Sequence, residues 1–418
     1  MPSLRNWRKK RVTKSDDKKV PALRFKGFTD DWEQRKFESL IYPEKIKNKN
    51  NLQLPAYSIS NKNGFIAQTD QFGKDNTYSK TDKKTNYIVN PGAFAYNPAR
   101  INVGSIGYQN LATPVLVSSL YEVFKTNSQI NDLFLIYWFK TDKFFNQIKK
   151  YEEGGVRQYY FLDKLLFSEI IIPKDAREQQ KISKILKKLD YLFSLQQRKL
   201  EQLNLLQRAL LQRIFANRNL QPDLRFTNFS GAWEQHKLGN MANILRGASP
   251  RPIKDKKWFD TNSRIGWIRI SDVTSQNGRV YTLGQHLSKK GQEKTHVVSS
   301  QTLLLSIAAS VGYPVITYVE TGVHDGFIIF DKPKFNLDFM FFKLQSIQNI
   351  WSKYGQPGSQ VNINSSIVAN TSISIPNIKE QKKISILLKK IEENIHLQQN
   401  KINKLQELKR SFLQNMFI

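Results

Sequence analysis

The chain frames itself twice with nearly the same residues. Pro21-Ala22-Leu23-Arg24-Phe25, followed by Trp32-Glu33-Gln34, returns 201 residues later as Pro222-Asp223-Leu224-Arg225-Phe226 and Trp233-Glu234-Gln235. Glu178-Gln179-Gln180-Lys181-Ile182-Ser183 returns 202 residues on as Glu380-Gln381-Lys382-Lys383-Ile384-Ser385. Between each opening and its closing lies an insert that hardly resembles its counterpart. Similar frames around dissimilar inserts suit one geometric task performed on two different targets.

The closing frames read as helices. From Arg177 to about Phe215 there is neither proline nor glycine, and the apolar residues fall at helical spacing. With Ile182 at heptad position a, the first copy continues with Leu189, Gln196 and Leu203 at a, and Ile185, Leu192, Lys199 and Leu206 at d, while Leu186, Phe193, Leu200 and Ile214 widen the stripe at e. The second copy follows the same register through Ile384, Ile391, Gln398 and Leu405 at a, with Leu387, Asn394, Lys401 and Leu408 at d. At ~1.5 Å per residue each helix is ~58 Å long, and a helix of that length with one apolar stripe normally pairs. Chain connectivity favours an antiparallel pair, with Gln196, Gln398, Lys199 and Lys401 as a polar layer that fixes alignment.

The expected fold is therefore α+β: two globular α/β domains joined by two long antiparallel helices, with an internal pseudo-twofold repeat. The expected segments are a basic flexible tail (1–20), a first domain (21–173), a central helix (174–217), a second domain (218–376) and a distal helix (377–418).

Charge narrows the partner. The 65 basic against 35 acidic residues leave a formal charge of +30, spread over every segment, as a polyanion binder requires. Cysteine is absent, which excludes disulfides, thiolate catalysis and cysteine-based metal sites, and the five histidines show no ligand spacing. No apolar run approaches the ~20 residues of a membrane helix, and residues 1–20 lack the apolar core of a secretion signal, so a cytoplasmic location is expected.

Both inserts carry polar loops at the ends of β-rich runs. The candidate DNA contacts of the first are Asn61, Lys62, Asn63, Asn97, Arg100, Asn102, Ser105 and Arg157. Those of the second are Arg246, Ser249, Arg251, Arg269, Ser310, Tyr313, Ser359 and Gln360. Arginine and asparagine can form paired hydrogen bonds to guanine and adenine edges, and serine and backbone amides in glycine turns suit phosphates. Catalytic motifs are lacking. Asn90-Pro91-Gly92-Ala93-Phe94 and Asn97-Pro98-Ala99-Arg100 lack the second proline of the adenine methyltransferase loop, and Pro222-Asp223 with Glu234-Gln235-His236-Lys237 has the wrong spacing for a nuclease. No phosphate-binding Gly-x-x-x-x-Gly-Lys loop exists.

The duplicated Pro-x-Leu-Arg-Phe…Trp-Glu-Gln openings, the Ile-Pro…Glu-Gln-x-Lys-Ile-Ser helices and loops such as Asn97–Ser105 and Gly247–Arg251 make the chain resemble the specificity subunit of type I restriction–modification systems. The resemblance covers nearly all residues beyond the basic tail. It implies a non-catalytic subunit whose inserts each read one half of a bipartite DNA target, while the helices act as a ruler and as the dock for two methyltransferase subunits. Two restriction–translocation subunits would join them, and S-adenosylmethionine, ATP and magnesium would reside on those partners. The alternatives are a stand-alone coiled-coil DNA-binding adaptor or a nuclease.

Overall fold

The computed structural model describes residues 8–9, 19–61, 63–72, 82–151, 159–215, 220–307, 311–354 and 363–418. The chain forms two compact units, Met1–Gln197 with Lys401–Ile418, and Arg198–Asn400. The division falls within the two long helices, so each unit holds part of both.

In the first unit the strand Glu33–Lys36 pairs antiparallel with Glu169–Ile172, which joins the opening of the frame to its close. The insert between them builds an antiparallel sheet in the order Ile106–Tyr108, Phe94–Tyr96, Glu122–Thr126, Ile41–Pro43. A second sheet holds Val115–Val117, Tyr87–Val89 and Ile46–Lys47, and Tyr57–Ser60 forms a hairpin with Gly64–Ala67. Helix α1 (Asp132–Trp138) starts at Asn131, whose side chain accepts from the Phe134 amide. Helix α2 (Ala176–Ile214) follows. The backbone of Arg8–Lys9 pairs with Leu23–Arg24.

The second unit repeats the frame with strand Glu234–Lys237 on Ser372–Ile375. Its insert forms a five-stranded sheet in the order Asn243–Arg246, Phe327–Asp331, Thr302–Ser306, Pro314–Thr317, Arg279–Val280, with only the last pair parallel. Because successive side chains alternate between faces, Leu303 and Leu305 enter one core and Leu304 another, which is why this strand reads as an unbroken apolar run. A smaller sheet contains Gly266–Ile268, Thr321–Val323 and His296–Val298. Helices α3 (Leu337–Ser346) and α4 (Ile378–Asn415) complete the unit.

Within each unit the long helices run antiparallel. In the first, Ile182, Leu186 and Leu189 near the start of α2 share a core with Phe412, Met416 and Phe417 at the end of the chain, and Lys409 pairs with Asp190. In the second, Ile214 and Phe215 at the end of α2 share a core with Ile384 and Leu388 near the start of α4. The a residues Ile182, Leu189, Ile384, Ile391 and Gln398 are buried, and Gln196, Leu203 and Leu405 are half-buried. The d residues behave otherwise: Leu206 and Leu408 are 47% and 36% exposed, and Lys199 and Lys401 face solvent. The e residues Leu186, Leu388, Ile402 and Met416 are buried instead. The seam thus lies between a and e, a spacing of four and three that fits the 3.6-residue turn as well as a and d do.

Candidate nucleic-acid interface

The repeated residues hold the fold. Arg24 grips Glu178 through Nε and Nη2 at 2.7 and 2.8 Å, and Arg225 grips Glu380 through the same atoms at 2.8 Å each. Both glutamates are buried, and the guanidiniums also donate to the carbonyls of Asp30 and Gly231. Gln179 and Gln381 accept from the Asn131 and Asn336 amides and donate to the carbonyls of Pro173 and Pro376. Trp32 and Trp233 pack edge-on against Phe134 and Phe339. Each frame is a buried joint between opening strand, α1 or α3, and long helix. The residues that differ between the two copies lie in the inserts, where the candidate contacts were placed.

In the first insert, Asn97 accepts from the Ala99 amide at 3.0 Å and so shapes its own loop, half-buried. Arg100 and Asn102 project to solvent from that loop, and Asn61 and Asn63 from the neighbouring hairpin turn are also exposed. The two segments are joined: Asn61 lies against Gly104, and the Ser105 hydroxyl donates to the Ile59 carbonyl at 2.7 Å. Ser105 is buried at 4% exposure, so it anchors the loop rather than offering a donor to a ligand. The Tyr160 amide ties the segment after residue 158 to the same loop through the Pro98 carbonyl. Lys62 and Arg157 lie outside the described residues.

The second insert holds an open cleft of about 430 Å³ lined by Ile253, Lys254, Lys256, Phe259, Trp267, Arg269, Gln285 and His324. Its floor is apolar and its charged groups are cationic. The Arg246–Arg251 segment docks beside it on the His324–Gly326 turn. The Gly247 and Ala248 amides donate to the carbonyls of Phe327 and Val323, Arg246 Nε to the Asp325 carbonyl, and Arg251 Nη2 to the Asp325 carboxylate at 2.7 Å. The Ser249 hydroxyl accepts from the Asp325 amide. A Cβ at Gly247 would stand 2.1 Å from the His324 carbonyl oxygen, so only glycine permits this approach. His324 Nδ1 lies 2.9 Å from both the Gly326 amide and the Asp325 carboxylate. Burial pushes the imidazole pKa down against the pull of Asp325, so the neutral ring accepts from Gly326 and the second contact is no ion pair. Arg269 lines the cleft with its guanidinium against Asp272. Tyr313 is half-buried and does not line it, and Ser310, Ser359 and Gln360 lie outside the described residues.

The family model of the type I restriction modification DNA specificity domain matches residues 29–205 and again 231–407. The chain belongs to this family.

Both matches begin in the duplicated opening and end in a long helix. Relatives agree: the type I restriction enzyme MjaVIII specificity subunit of Methanocaldococcus jannaschii is 24% identical over 318 residues, 72% of either chain. The fold resembles the S subunit of a type I restriction–modification system from M. genitalium, with TM-score 0.60 and 12% identity, covering 96% of this chain and 99% of that one. It also resembles a chain from a structural study of type I restriction–modification complex assembly and conformational transition, with TM-score 0.57 and 15% identity over 92% and 97% of the two chains. The basic cleft of the second insert lies wholly within the second match. Sequence reasoning missed Lys254 and Lys256 there, although the run Lys254-Asp255-Lys256-Lys257 was visible, and it could not show that His324 and Gln285 join them. Among the described residues no cluster of histidine and carboxylate side chains could hold a metal, and no helix is long and apolar enough to cross a membrane.

Proposed function

We propose that the chain is the DNA-reading subunit of a type I restriction–modification complex, each unit recognising one half of a bipartite target. The observation that carries this reading is the contrast between frame and insert. The same Arg–Glu joint recurs at Arg24–Glu178 and Arg225–Glu380, and both inserts set four antiparallel strands in the same order, while the loops mounted on them share no sequence and the second insert adds the parallel edge strand Arg279–Val280. One mount with two different readers is what a target of two unlike halves demands. Affinity comes largely from the basic field through counterion release, and specificity from the exposed loop residues Arg100, Asn102, Arg246 and Arg251 and from Arg269 in the cleft. Helices α2 and α4 serve as the spacer.

The helices also repeat residues that packing does not explain. The first unit exposes Leu195 and Leu408, and the second exposes their register equivalents Leu397 and Leu206. A surface leucine kept at matching positions in both copies suits the same partner docking twice, and we assign it to two methyltransferase subunits. Those subunits would carry S-adenosylmethionine, and two restriction–translocase subunits would carry ATP and magnesium. This chain contributes recognition, not chemistry. The test is to replace the second insert, between the strands Glu234–Lys237 and Ser372–Ile375, with that of a relative of different target. The complex is then reconstituted and its methylation profiled on genomic DNA. One half of the methylated site should change and the other persist. A site altered in both halves, or in neither, would refute the reading.

A further inference from the structure

Cations in and beside the second unit's cleft fall into two kinds. Lys254 and Lys256 extend into solvent on flexible stems. Arg269 and Arg251 are each held by a carboxylate. Arg269 donates through Nε to Asp272 Oδ2 at 3.1 Å and through Nη2 to Asp272 Oδ1 at 3.2 Å. The same carboxylate accepts from the Arg269 backbone amide at 3.0 Å and is only 12% exposed, so it is fixed by the start of its helix. Gly284 leaves room beside the guanidinium, since a Cβ there would lie 3.3 Å from Nη2. Arg251 is held through Nη2 alone, by a carboxylate whose backbone amide and carbonyl are themselves engaged by Ser249 and Arg246.

The geometry points to a division of labour. We propose that Arg269 and Arg251, buttressed by Asp272 and Asp325, read guanine edges in the second half-site, while Lys254 and Lys256 bind only phosphate. This rests on the reading of the second unit as a half-site reader. Pairing through the Nε–Nη2 edge leaves Arg269 its Nη1–Nη2 edge, two parallel N–H donors that match guanine O6 and N7. The carboxylate removes rotamer freedom before binding and offsets part of the positive charge, so the fork is poor at gripping any passing phosphate. Lysine, a mobile point charge with no planar fork, lacks that discrimination.

The experiment uses the full chain reconstituted with its methyltransferase partner. Its DNA probes are duplexes bearing the target found by methylation profiling, every single-base change in each half, and a random duplex, titrated over salt. R269K and R251K keep the charge and remove the fork. Each should lower discrimination at one guanine of one half-site by about 5- to 150-fold, leaving the other half-site intact as a control for folding. D272N and D325N keep side-chain volume and remove the buttress. They should lower discrimination at the same positions while binding to the random duplex holds or strengthens. K254A and K256A should weaken all duplexes alike and reduce the salt slope by about one each. Unchanged discrimination in R269K and R251K overturns the proposal. So do lysine variants that alter base preference, or Asp variants indistinguishable from the parent. If no cleft variant alters binding at all, the cleft does not face DNA, whereas the exchange of inserts tests half-site reading independently.

Discussion

Replacing Arg279 by methionine should destabilise the second unit in a manner that depends on pH. Arg279 is 7% exposed on the edge strand Arg279–Val280, with its guanidinium 4.5 Å over the Phe341 ring. Nη1 donates to Asp338 on α3 at 2.6 Å and to the Tyr318 hydroxyl at 2.8 Å, and Nε donates to Glu392 on α4 at 2.5 Å. One cation therefore fastens the sheet to two helices. Burial raises the Glu392 pKa above its ordinary value, and the opposing pull of Arg279 does not cancel it. Removing the arginine leaves two largely buried carboxylates, with Lys389 near Asp338 at 3.5 Å as the remaining cation. Breaking a buried pair costs about 3–5 kcal/mol, and the partial exposure and Lys389 place this case near the lower end. At about 2–4 °C per kcal/mol for a unit of this size, the midpoint should fall by roughly 6–12 °C near neutral pH.

The pH dependence has a definite sign. A carboxyl whose pKa is raised on folding binds its proton more tightly in the native state. Its contribution to stability is fully present below the ordinary value of 4.5 and is lost as pH rises through the raised value. Without Arg279 the Glu392 pKa rises further, so the penalty of R279M should be small near pH 4.5 and grow towards pH 7.5. In R279M/E392Q the unpaired charge is gone, and much of the loss should be recovered. Thermal unfolding at both pH values, with hydrogen exchange on peptides from strands 302–306 and 314–317, reports on this unit. A midpoint drop equal at both pH values, or a double variant no better than R279M, would refute the reasoning.

Three further outcomes are expected. Ala at Gly247 places a Cβ on the His324 carbonyl and should dislodge the Arg246–Arg251 segment, so that methylation profiling shows relaxed choice in the second half-site and an unchanged first. Arg24→Ala and Arg225→Ala each strand a buried glutamate, and calorimetry should find losses of about 3–5 kcal/mol for each, alike because the joints are alike. Leu195→Asp should abolish one of the two methyltransferase docking events and L195D/L397D both, read as the mass of the complex by sedimentation; undiminished binding by the double variant would move the dock elsewhere.

Much of the frame was legible because it is local or repeated. The long helices, Ala176–Ile214 and Ile378–Asn415, announce themselves through an apolar stripe uninterrupted by proline or glycine. The seam was harder: the a/d/e stripe is visible in the sequence, but only packing decides which flank is used, burying Ile402 at e and exposing Leu408 at d. The insert chemistry was the least legible. Ser105 in a glycine-containing loop looks like a phosphate ligand until its depth is known. Arg251 meets Asp325 across 74 residues and Arg279 meets Glu392 across 113, separations at which no local pattern signals a partner.

The two copies also differ at a place where their helices agree. Asp190 on α2 and Glu392 on α4 occupy the same register, and each receives a donor from its own head. In the first unit the donor is the Tyr137 hydroxyl at 3.0 Å, with Lys409 on the same carboxylate; in the second it is Arg279. Burial and then Asp190 raise the Tyr137 pKa, so the phenol stays protonated and donates at any ordinary pH. The acid belongs to the repeated scaffold, whereas Arg279 comes from the part that diverged. The demand is stronger on the second head, because one that brings no donor leaves Glu392 without its hydrogen-bond partner at a cost of about 1–3 kcal/mol, whereas Asp190 keeps Lys409 from α4 whichever head is mounted. Retargeting by insert exchange should succeed first with heads that present tyrosine, arginine or lysine there.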